Sequence, residues 1–294
     1  MSSRSAGQAA GSSYRPHLET APRTPVRRFL LTVDGVTIDA AYDPGTGASG
    51  DLAFIVAHGF TGDLDRPHVC RAAGILARHA PVVTFSFRGH GASGGRSTVG
   101  DREVHDLAAA VAWARELGHA RVATVGFSMG GSVVLRHAAI YGETAEAGRR
   151  QGRQQGQEHE GRTDAHTDAV VSVSAPARWY YRGTAPMRRL HWLVTQPVGR
   201  IVGRYGLRTR IHHREWDPVP ASPVESVPLI APTPLLIVHG DQDGYFPVDH
   251  PRMLAAASGG HAELWLEHGM GHAENAADDA LLARIGDWAV AHAG

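Results

Sequence analysis

Two kinds of hydrophobic pattern alternate along most of this chain. Short apolar runs such as Leu52–Ala57 and Val82–Phe87 are typical of strands that are buried on both faces. Between these runs lie longer stretches in which apolar residues recur every three or four positions, as in amphipathic helices. The alternation predicts a mostly parallel sheet with helices on both faces.

Eight segments have the pattern of strands, and a turn signal at Asp34-Gly35 joins the first two into a hairpin. We place the strands at Phe29–Val33, Val36–Tyr42, Leu52–Ala57, Val82–Phe87, Arg121–Gly126, Val170–Val173, Leu235–His239 and Leu264–Leu266. With Asp101 as a capping residue, we place helices from Pro67 to about Arg78, Asp101 to about Leu117, Ser128 to about Tyr141, Asp249 to Ala257, and about Asn275 to Val290. The expected α/β core therefore spans residues 26–176 and 229–294.

Three segments depart from this pattern. Residues 1–25 are rich in Ser, Ala, Gly and Pro without periodicity, which indicates a disordered leader. Residues 143–167 are almost free of apolar side chains, so we expect a flexible polar insertion. Residues 177–228 are rich in Trp, Tyr, Arg and Pro and are too long for a simple connection, which favours a helical cap.

The composition narrows the chemistry. The 294-residue chain has 29 basic residues, all of them Arg, and 29 acidic residues. The lack of Lys excludes Schiff-base catalysis and a phosphate-binding loop of the Gly-Lys-Ser/Thr type. Cys70 is the single cysteine, so no internal disulfide can form, and we expect it to be a small buried helix residue. No His-Glu-x-x-His motif occurs, and we expect neither a metal nor a cofactor.

Net charge and hydropathy also limit the classes of partner and the cellular location that we expect. A net charge of zero argues against broad nucleic-acid binding. No apolar run approaches the length of about 18 residues that spans a membrane, and the first residues lack the apolar core of a signal peptide. We therefore expect a cytoplasmic protein with a small-molecule partner, and the sequence does not indicate its oligomeric state.

A candidate nucleophile lies between the strand Arg121–Gly126 and the next helix. The sequence Gly126-Phe127-Ser128-Met129-Gly130 has the form Gly-x-Ser-x-Gly, and in this context it predicts a nucleophile elbow. The small flanking residues are needed because the serine backbone is strained and its neighbours approach closely. Acid and histidine candidates follow in the loops after Leu235–His239 and Leu264–Leu266, so all three would lie at one edge of the sheet.

These motifs together resemble those of the α/β-hydrolase family. Two further loops add to the likeness: His58-Gly59-Phe60-Thr61-Gly62 after the third strand, and Arg88-Gly89-His90-Gly91-Ala92-Ser93-Gly94 after the fourth. The resemblance extends from about residue 28 to the C-terminus. It implies a mostly parallel eight-stranded sheet with helices on both faces and a helical cap, and serine-hydrolase chemistry.

The resemblance assigns roles to single residues. Ser128 matches the nucleophile, and His272 matches the general base. The acid is Asp241 or Asp243; we favour Asp243, because the family's acid loop reads Gly-x-x-Asp-x-x-x-Pro and Gly240 and Pro247 complete that pattern. His268 competes with His272 but follows the strand end too closely. By the same resemblance, the backbone N–H groups of Phe60 and Met129 form the oxyanion hole, and His58 and the Arg88–Gly94 loop support the site.

The substrate is less sharply indicated. A serine nucleophile disfavours dehalogenase or epoxide-hydrolase chemistry, which uses Asp, and favours a carboxylic ester with a small apolar or acyl group. Trp179, Tyr180 and Trp192 are the candidate substrate-binding residues of the cap. Nine Arg against three acids in residues 177–228 suggest an alternative, an acyl-thioesterase or lysophospholipase-type hydrolase acting on an anionic substrate. A third interpretation is a non-catalytic small-molecule-binding protein of this fold.

Overall fold

The computed structural model describes residues 25–47, 50–142 and 165–294. Most of the predicted leader, and the predicted polar insertion as far as residue 164, lie outside the described residues. The last three residues of that insertion lead into a strand, and two of them, Ala165 and Thr167, are buried. The expected division into domains remains a prediction.

Within the described residues the core is a single sheet of eight strands. Their bounds are β1 Val26–Leu31, β2 Thr37–Asp43, β3 Leu52–Ala57, β4 Val82–Phe85, β5 Arg121–Phe127, β6 Ala169–Val173, β7 Leu235–Gly240 and β8 Ala262–Glu267. The order across the sheet is β1-β2-β4-β3-β5-β6-β7-β8. The pairs β1–β2 and β2–β4 are antiparallel and the remaining pairs are parallel. The eight-stranded, mostly parallel sheet expected from the sequence is confirmed.

Helices cover both faces of this sheet. The described residues contain α1 Pro67–Leu76, α2 Glu103–Glu116, α3 Met129–Tyr141, α4 Ala185–Thr195, α5 Pro197–Gly206, α6 Pro223–Ser226, α7 Asp249–Ala257, α8 Ala273–Ala276 and α9 Asp279–His292, with a 3-10 turn at Val227–Leu229. One buried cluster packs α2, α3 and α7 on one face, and a second packs α1 and α9 on the other. The sheet is therefore buried on both sides, as the continuous apolar strands predict.

Two residues differ from their expected roles. Asp101 does not cap α2, because Arg102 occupies the N-cap position and makes no side-chain capping hydrogen bond. Instead the buried Glu103 carboxylate accepts the backbone N–H groups of Thr98, Val99 and Gly100, which curls the preceding loop around the first turn. Cys70 is exposed, because α1 directs its inner face, with Val69 and other apolar residues, toward the sheet.

The chain creates a crevice between β3 and β5, which are neighbours in the sheet. After β3 the chain continues to α1 on one face, and after β5 it continues to α3 on the other face. The loops that leave the two carboxyl ends therefore diverge. Such a switch point is where open α/β sheets bind their ligands. The Gly59–Gly62 loop and Ser128 both lie at this point.

A long segment between β6 and β7 contains α4 and α5, which pack against each other as a helical hairpin. We call residues 177–228 the inserted segment. Isolated bridges pair Thr209 with His90 and Ile211 with Ser97 in the loop after β4. The Thr184 hydroxyl donates to the carbonyl of Tyr245 beyond β7, at 2.9 Å. The inserted segment is thus fixed to loops on two sides of the crevice.

Candidate active site

Ser128 occupies a sharp turn between β5 and α3. Its φ and ψ are 53° and −110°, a left-handed conformation that a non-glycine residue rarely adopts. A Cβ atom at Gly126 would lie under 3.0 Å from the Gly130 carbonyl. A Cβ atom at Gly130 would likewise lie under 3.0 Å from the Ala57 carbonyl. The Ser128 N–H donates to the Val173 carbonyl at 2.8 Å, which holds the turn in place. The predicted elbow is therefore present as a geometric feature.

His272 and Asp243 extend from Ser128 in a hydrogen-bonded chain. The Ser128 hydroxyl lies 2.9 Å from His272 Nε2, and His272 Nδ1 donates to Asp243 Oδ2 at 2.7 Å. The side chain of Asp243 is fully buried, and its Oδ1 accepts the N–H groups of Tyr245 and Phe246. The ring of Tyr245 stacks on His272 with centroids 4.2 Å apart. Each member of the chain is therefore oriented by the next.

The ionisation of Asp243 follows from these contacts. Burial alone would raise the pKa of this carboxyl, but hydrogen bonds from His272, Phe246 and Tyr245 bring it below its ordinary value. The charged carboxylate of Asp243 accepts a hydrogen bond from His272 Nδ1–H, so the ring keeps its proton on Nδ1 and Nε2 is left as an acceptor that faces Ser128. The arrangement fits a general base that can take the serine proton.

The competing aspartate and histidine form a separate pair. Asp241 accepts from the Gly269 N–H at 2.7 Å and from His268 Nδ1 at 2.8 Å, and these two hydrogen bonds lower the pKa of its carboxyl. The side chain of His268 is 96% exposed. Neither residue belongs to the hydrogen-bonded chain that reaches Ser128. Asp241 acts instead as a turn residue that fixes the loop after β8.

The N–H groups of Phe60 and Met129 are available for an oxyanion. Met129 is the first residue of α3, where backbone N–H groups have no helical acceptor and the helix dipole favours negative charge. Within residues 25–47, 50–142 and 165–294, neither of these N–H groups donates a hydrogen bond. The ring of Phe60 lines the cavity beside Ser128. Phe60, Met129 and Ser128 line the same cavity, and the use of these two N–H groups as an oxyanion hole stays a prediction.

Two buried histidines hold the loop that carries Phe60. His58 Nδ1 donates to the Gly59 carbonyl at 2.7 Å, and its Nε2 accepts the Phe87 N–H at 3.0 Å. His90 Nε2 accepts the Thr61 N–H. Burial, with a smaller contribution from His90, lowers the pKa of His58 to about 3, and burial lowers the pKa of His90 to about 4. Both rings are neutral near pH 7, and each can therefore accept a backbone N–H.

The loop after β4 has an ionic anchor of its own. The buried Arg88 guanidinium donates to both carboxylate oxygens of Asp106 and to both of Asp34. The Asp106 carboxylate also accepts the Arg88 backbone N–H at 2.8 Å. These hydrogen bonds to Asp34 and Asp106 hold Arg88 and thereby fix the Arg88–Gly94 loop beneath the inserted segment.

Comparison with known proteins identifies this architecture. Residues 53–147 match a family model described as the alpha/beta hydrolase fold. The esterase Pf2001 from Pyrococcus furiosus superposes over 92% of this chain and 94% of its own, with a TM-score of 0.65 and 20% identity. The chain has the α/β-hydrolase fold. No curated protein sequence matches it.

Two other solved structures share the α/β-hydrolase fold with this chain. The α/β hydrolase GrgF from a Penicillium species is 18% identical over 92% of this chain and 99% of its own, with a TM-score of 0.63. Est1E from Butyrivibrio proteoclasticus, solved with bound ferulic acid, is 18% identical over 90% of this chain and 98% of its own, with a TM-score of 0.57. At this level of identity the likeness establishes the fold.

One buried carboxylate beside Ser128 and the Gly59–Gly62 loop does not follow from any motif. Glu274 Oε1 accepts the Gly59 N–H at 3.2 Å, although the two residues are 215 positions apart. Its Oε2 is buried and has no hydrogen-bond partner in the described part of the chain. A side chain built at Gly59 would touch both the carboxylate of Glu274 and the Cβ of Ser128. Glu274 therefore links the loop after β8 to the Gly59–Gly62 loop. Its only sequence signal is an acidic residue two positions after His272.

A cavity of about 360 Å³ opens above Ser128. Of the three aromatic residues proposed to bind substrate, Trp179 and Tyr180 line this cavity, whereas Trp192 is 49% exposed and does not line it. The walls come largely from the inserted segment and include Tyr181, Met187, Leu190, Val194, Ile211 and Trp216, together with Arg178, Arg182, Arg200 and Arg214. The cavity is mainly apolar with an arginine-rich border, and its volume is typical of small-molecule sites.

Neither a metal centre nor a membrane span occurs in the part of the chain that the structure describes. Among these residues, no three His, Cys, Asp or Glu side chains are grouped so that they could hold a metal ion. In the same residues, no helix is long and apolar enough to cross a bilayer.

Proposed function

We propose that this protein is a serine hydrolase that cleaves the carboxylic ester of a small apolar or acyl substrate through an acyl-enzyme. The observation that carries the proposal is the unbroken chain from Ser128 through His272 to the buried Asp243, with steps of 2.9 and 2.7 Å. A serine hydroxyl is a weak nucleophile until an oriented base can accept its proton. The coarser conclusion, a hydrolase with the α/β-hydrolase fold, agrees with the family model and with the esterase Pf2001 named above.

The first half of the reaction forms the acyl-enzyme. Ser128 Oγ attacks the ester carbonyl carbon while His272 Nε2 takes the hydroxyl proton. The negative charge that develops on the carbonyl oxygen is stabilised by the N–H groups of Phe60 and Met129, each typically worth about 3 kcal/mol in the transition state. His272 then gives its proton to the leaving alcohol oxygen as the carbon–oxygen bond breaks.

The second half releases the acid. His272 removes a proton from water, whose oxygen attacks the acyl carbon, and the same two N–H groups again hold the oxyanion. The bond to Ser128 breaks, and the proton on His272 returns to the serine oxygen. Asp243 remains ionised throughout, because its role is to fix the orientation of the ring and to stabilise the imidazolium.

The cavity above Ser128 supports the choice of substrate. Aromatic and aliphatic side chains from the inserted segment form most of its wall, which favours an apolar acyl or aromatic group. In this proposal Trp179 and Tyr180 contact the substrate, and residues 177–228 act as a cap that shields the reaction from water.

The test is a panel of p-nitrophenyl esters with acyl chains from acetyl to decanoyl, measured as kcat/KM. We expect hydrolysis of the esters that fit the cavity and loss of at least about 10³-fold of this activity in Ser128→Ala. A matched control, Ser258→Ala, changes a half-buried serine at the end of α7 and should keep near-native activity. Unchanged activity in Ser128→Ala would contradict the proposal.

A second candidate, hydrolysis of an anionic acyl-thioester or lysophospholipid, is favoured by one specific observation. Four arginines, Arg178, Arg182, Arg200 and Arg214, contribute to the border of the cavity. A positive border raises the local concentration of an anionic substrate and speeds its capture. Adding an acyl-CoA and a lysophosphatidylglycerol to the panel distinguishes the candidates: preference for either over a neutral ester of equal acyl length, lost at high salt, would favour the second.

A further inference from the structure

The outer surface of α5 carries an uncovered apolar stripe. Val198, Ile201, Val202 and Tyr205 are 61, 58, 47 and 75% exposed. Their spacing of three, one and three residues places all four on one face of the helix. Trp192 on the neighbouring α4 is also half exposed. Apolar residues that share one exposed helix face, unlike singly scattered ones, are candidates for an interaction site.

The helical hairpin and the chain on either side of it carry a strong excess of positive charge. Residues 169–214 contain nine Arg and no Asp or Glu, and the next acidic residues are Glu215 and Asp217. None of these nine arginines forms an ion pair within the described part of the chain, whereas nine arginines elsewhere do. A general excess of Arg in the composition does not explain this difference. The exposed members of the set are Arg178, Arg182, Arg188, Arg189, Arg204, Arg208 and Arg214.

We propose that the α4–α5 hairpin docks onto an anionic phospholipid bilayer. A helix with an apolar face, arginines beside that face and a nearby Trp has the features of segments that lie in the membrane interface. The α5 stripe would enter the boundary between headgroups and acyl chains, while the arginines contact lipid phosphates. The protein would lie on the bilayer without crossing it.

Charge favours a bilayer over a second copy of this chain as the occupant. A symmetric dimer through the α5 stripe would bring two arginine sets together without any acidic partner on the hairpin. Like charges that face each other across an interface are costly. An anionic surface instead complements both the stripe and its border.

The position of the hairpin gives docking a consequence. Val194, Thr195 and Arg200 belong to α4 and α5 and also line the cavity above Ser128. A docked molecule would therefore hold this cavity close to the lipid interface. If the proposed function is correct, amphiphilic esters can enter without dissolving in water first; docking itself does not depend on that function.

The test is co-sedimentation of the full-length protein with vesicles, either of phosphatidylcholine alone or with about 30% phosphatidylglycerol. We expect binding to the anionic vesicles that weakens strongly between about 0.05 and 0.5 M salt, and little binding to the neutral ones. The double variant Ile201→Ser/Val202→Ser should lose at least about tenfold in partitioning. Arg204→Gln should lose about fivefold, as expected for one charge near an anionic surface.

Three controls make the result decisive. Leu31→Ser, which removes a 70% exposed leucine from β1, should bind vesicles as the native protein does. Ser128→Ala should also bind normally, so failure of the proposed chemistry would leave this result intact. Hydrolysis of a water-soluble ester by the double variant checks its fold, since neither residue lines the cavity.

Two results would overturn docking. One is equal or absent binding to the two kinds of vesicle by the native protein. The other is a native dimer that Ile201→Ser/Val202→Ser converts to a monomer without any change in vesicle binding, which would assign the α5 stripe to contact between copies.

Discussion

Two neighbouring aspartates in the loop after β7 have different surroundings. Asp243 is buried against His272, whereas Asp241 pairs at the surface with His268. Asp243→Asn should lower kcat/KM by about 10³- to 10⁴-fold, because an amide no longer fixes the required tautomer of His272. Asp241→Asn should cost less than about threefold, as expected for a surface pair. The reverse ranking in the same ester assay would assign the acid to Asp241.

Glu274 offers a test of how the Gly59–Gly62 loop, which carries Phe60, is held. Glu274→Leu removes the acceptor of the Gly59 N–H and should lower kcat at least about tenfold with little change in KM, since small displacements of catalytic groups are costly. Glu274→Gln keeps an acceptor oxygen at the same place and should stay within about threefold of native kcat. If both variants lose activity equally, the charge of Glu274 matters instead of its hydrogen bond.

His137 makes the stability of the protein depend on pH. It is fully buried in α3, neither ring nitrogen has a partner in the described chain, and burial lowers the pKa of His137 to about 3. The unfolded chain therefore binds a proton near pH 6.5 that the folded chain does not bind, and stability falls as pH drops from about 6.5 toward 3.

His137→Phe removes this proton uptake. At each pH we compare the free energy of unfolding of the variant with that of the native protein. This difference should favour the variant by roughly 2 kcal/mol more at pH 5 than at pH 7. Urea unfolding at both pH values measures the difference, and any packing penalty of the larger ring cancels. His68→Phe, at an exposed site on α1, serves as the control and should show equal shifts at the two pH values. A pH-independent effect of His137→Phe would mean that this histidine is not held neutral.

The sequence predicted single residues only where a local motif accompanied them. Ser128, Asp243 and His272 each follow a strand within a short recognisable loop, and the structure brings the three together. Glu274 could not be predicted because its contact with Gly59 joins loops 215 residues apart, and no local periodicity indicates such a contact.

At the scale of elements, glycines decide whether the loops can approach. Gly130→Ala should destabilise the fold by several kcal/mol, because its methyl group would lie under 3.0 Å from the Ala57 and His58 carbonyls. Gly74 is exposed in α1, and no atom lies within 4 Å of the position that a methyl group would take there, so Gly74→Ala should stabilise by about 0.5–1 kcal/mol. Urea unfolding checks both, and equal effects of the two substitutions would refute this account of the elbow.

Strands and long helices were predictable because each carries its period locally. The observed ends of helices differ from the predicted ends where a capping side chain, which is not part of the hydrophobic pattern, decides where the helix begins. The last helix begins at Asp279 rather than near Asn275, since the Asp278 side chain caps it through the Leu281 N–H at 2.8 Å. The chain between His272 and this cap forms the separate short helix α8, which hydrophobic periodicity cannot resolve at four residues.

For the whole molecule, alternation of strands and helices was enough to predict the sheet, and the order of motifs was enough to predict which edge bears the site. The cavity was not predictable in the same way. Its wall combines the inserted segment with the loops after β3, β4 and β7, so its shape depends on contacts between distant parts of the chain. This is why the fold follows from the sequence more readily than the substrate does.

Every step of the proposed reaction depends on one activated serine. Incubation with a fluorophosphonate, followed by intact-mass measurement and peptide mapping, tests it most directly, because such a probe reacts with a serine whose proton a neighbouring base can accept. We predict one adduct per chain on Ser128, no adduct in Ser128→Ala, and strongly slowed labelling in Asp243→Asn. Absence of labelling in the native protein, or an adduct on another residue, would contradict the central claim.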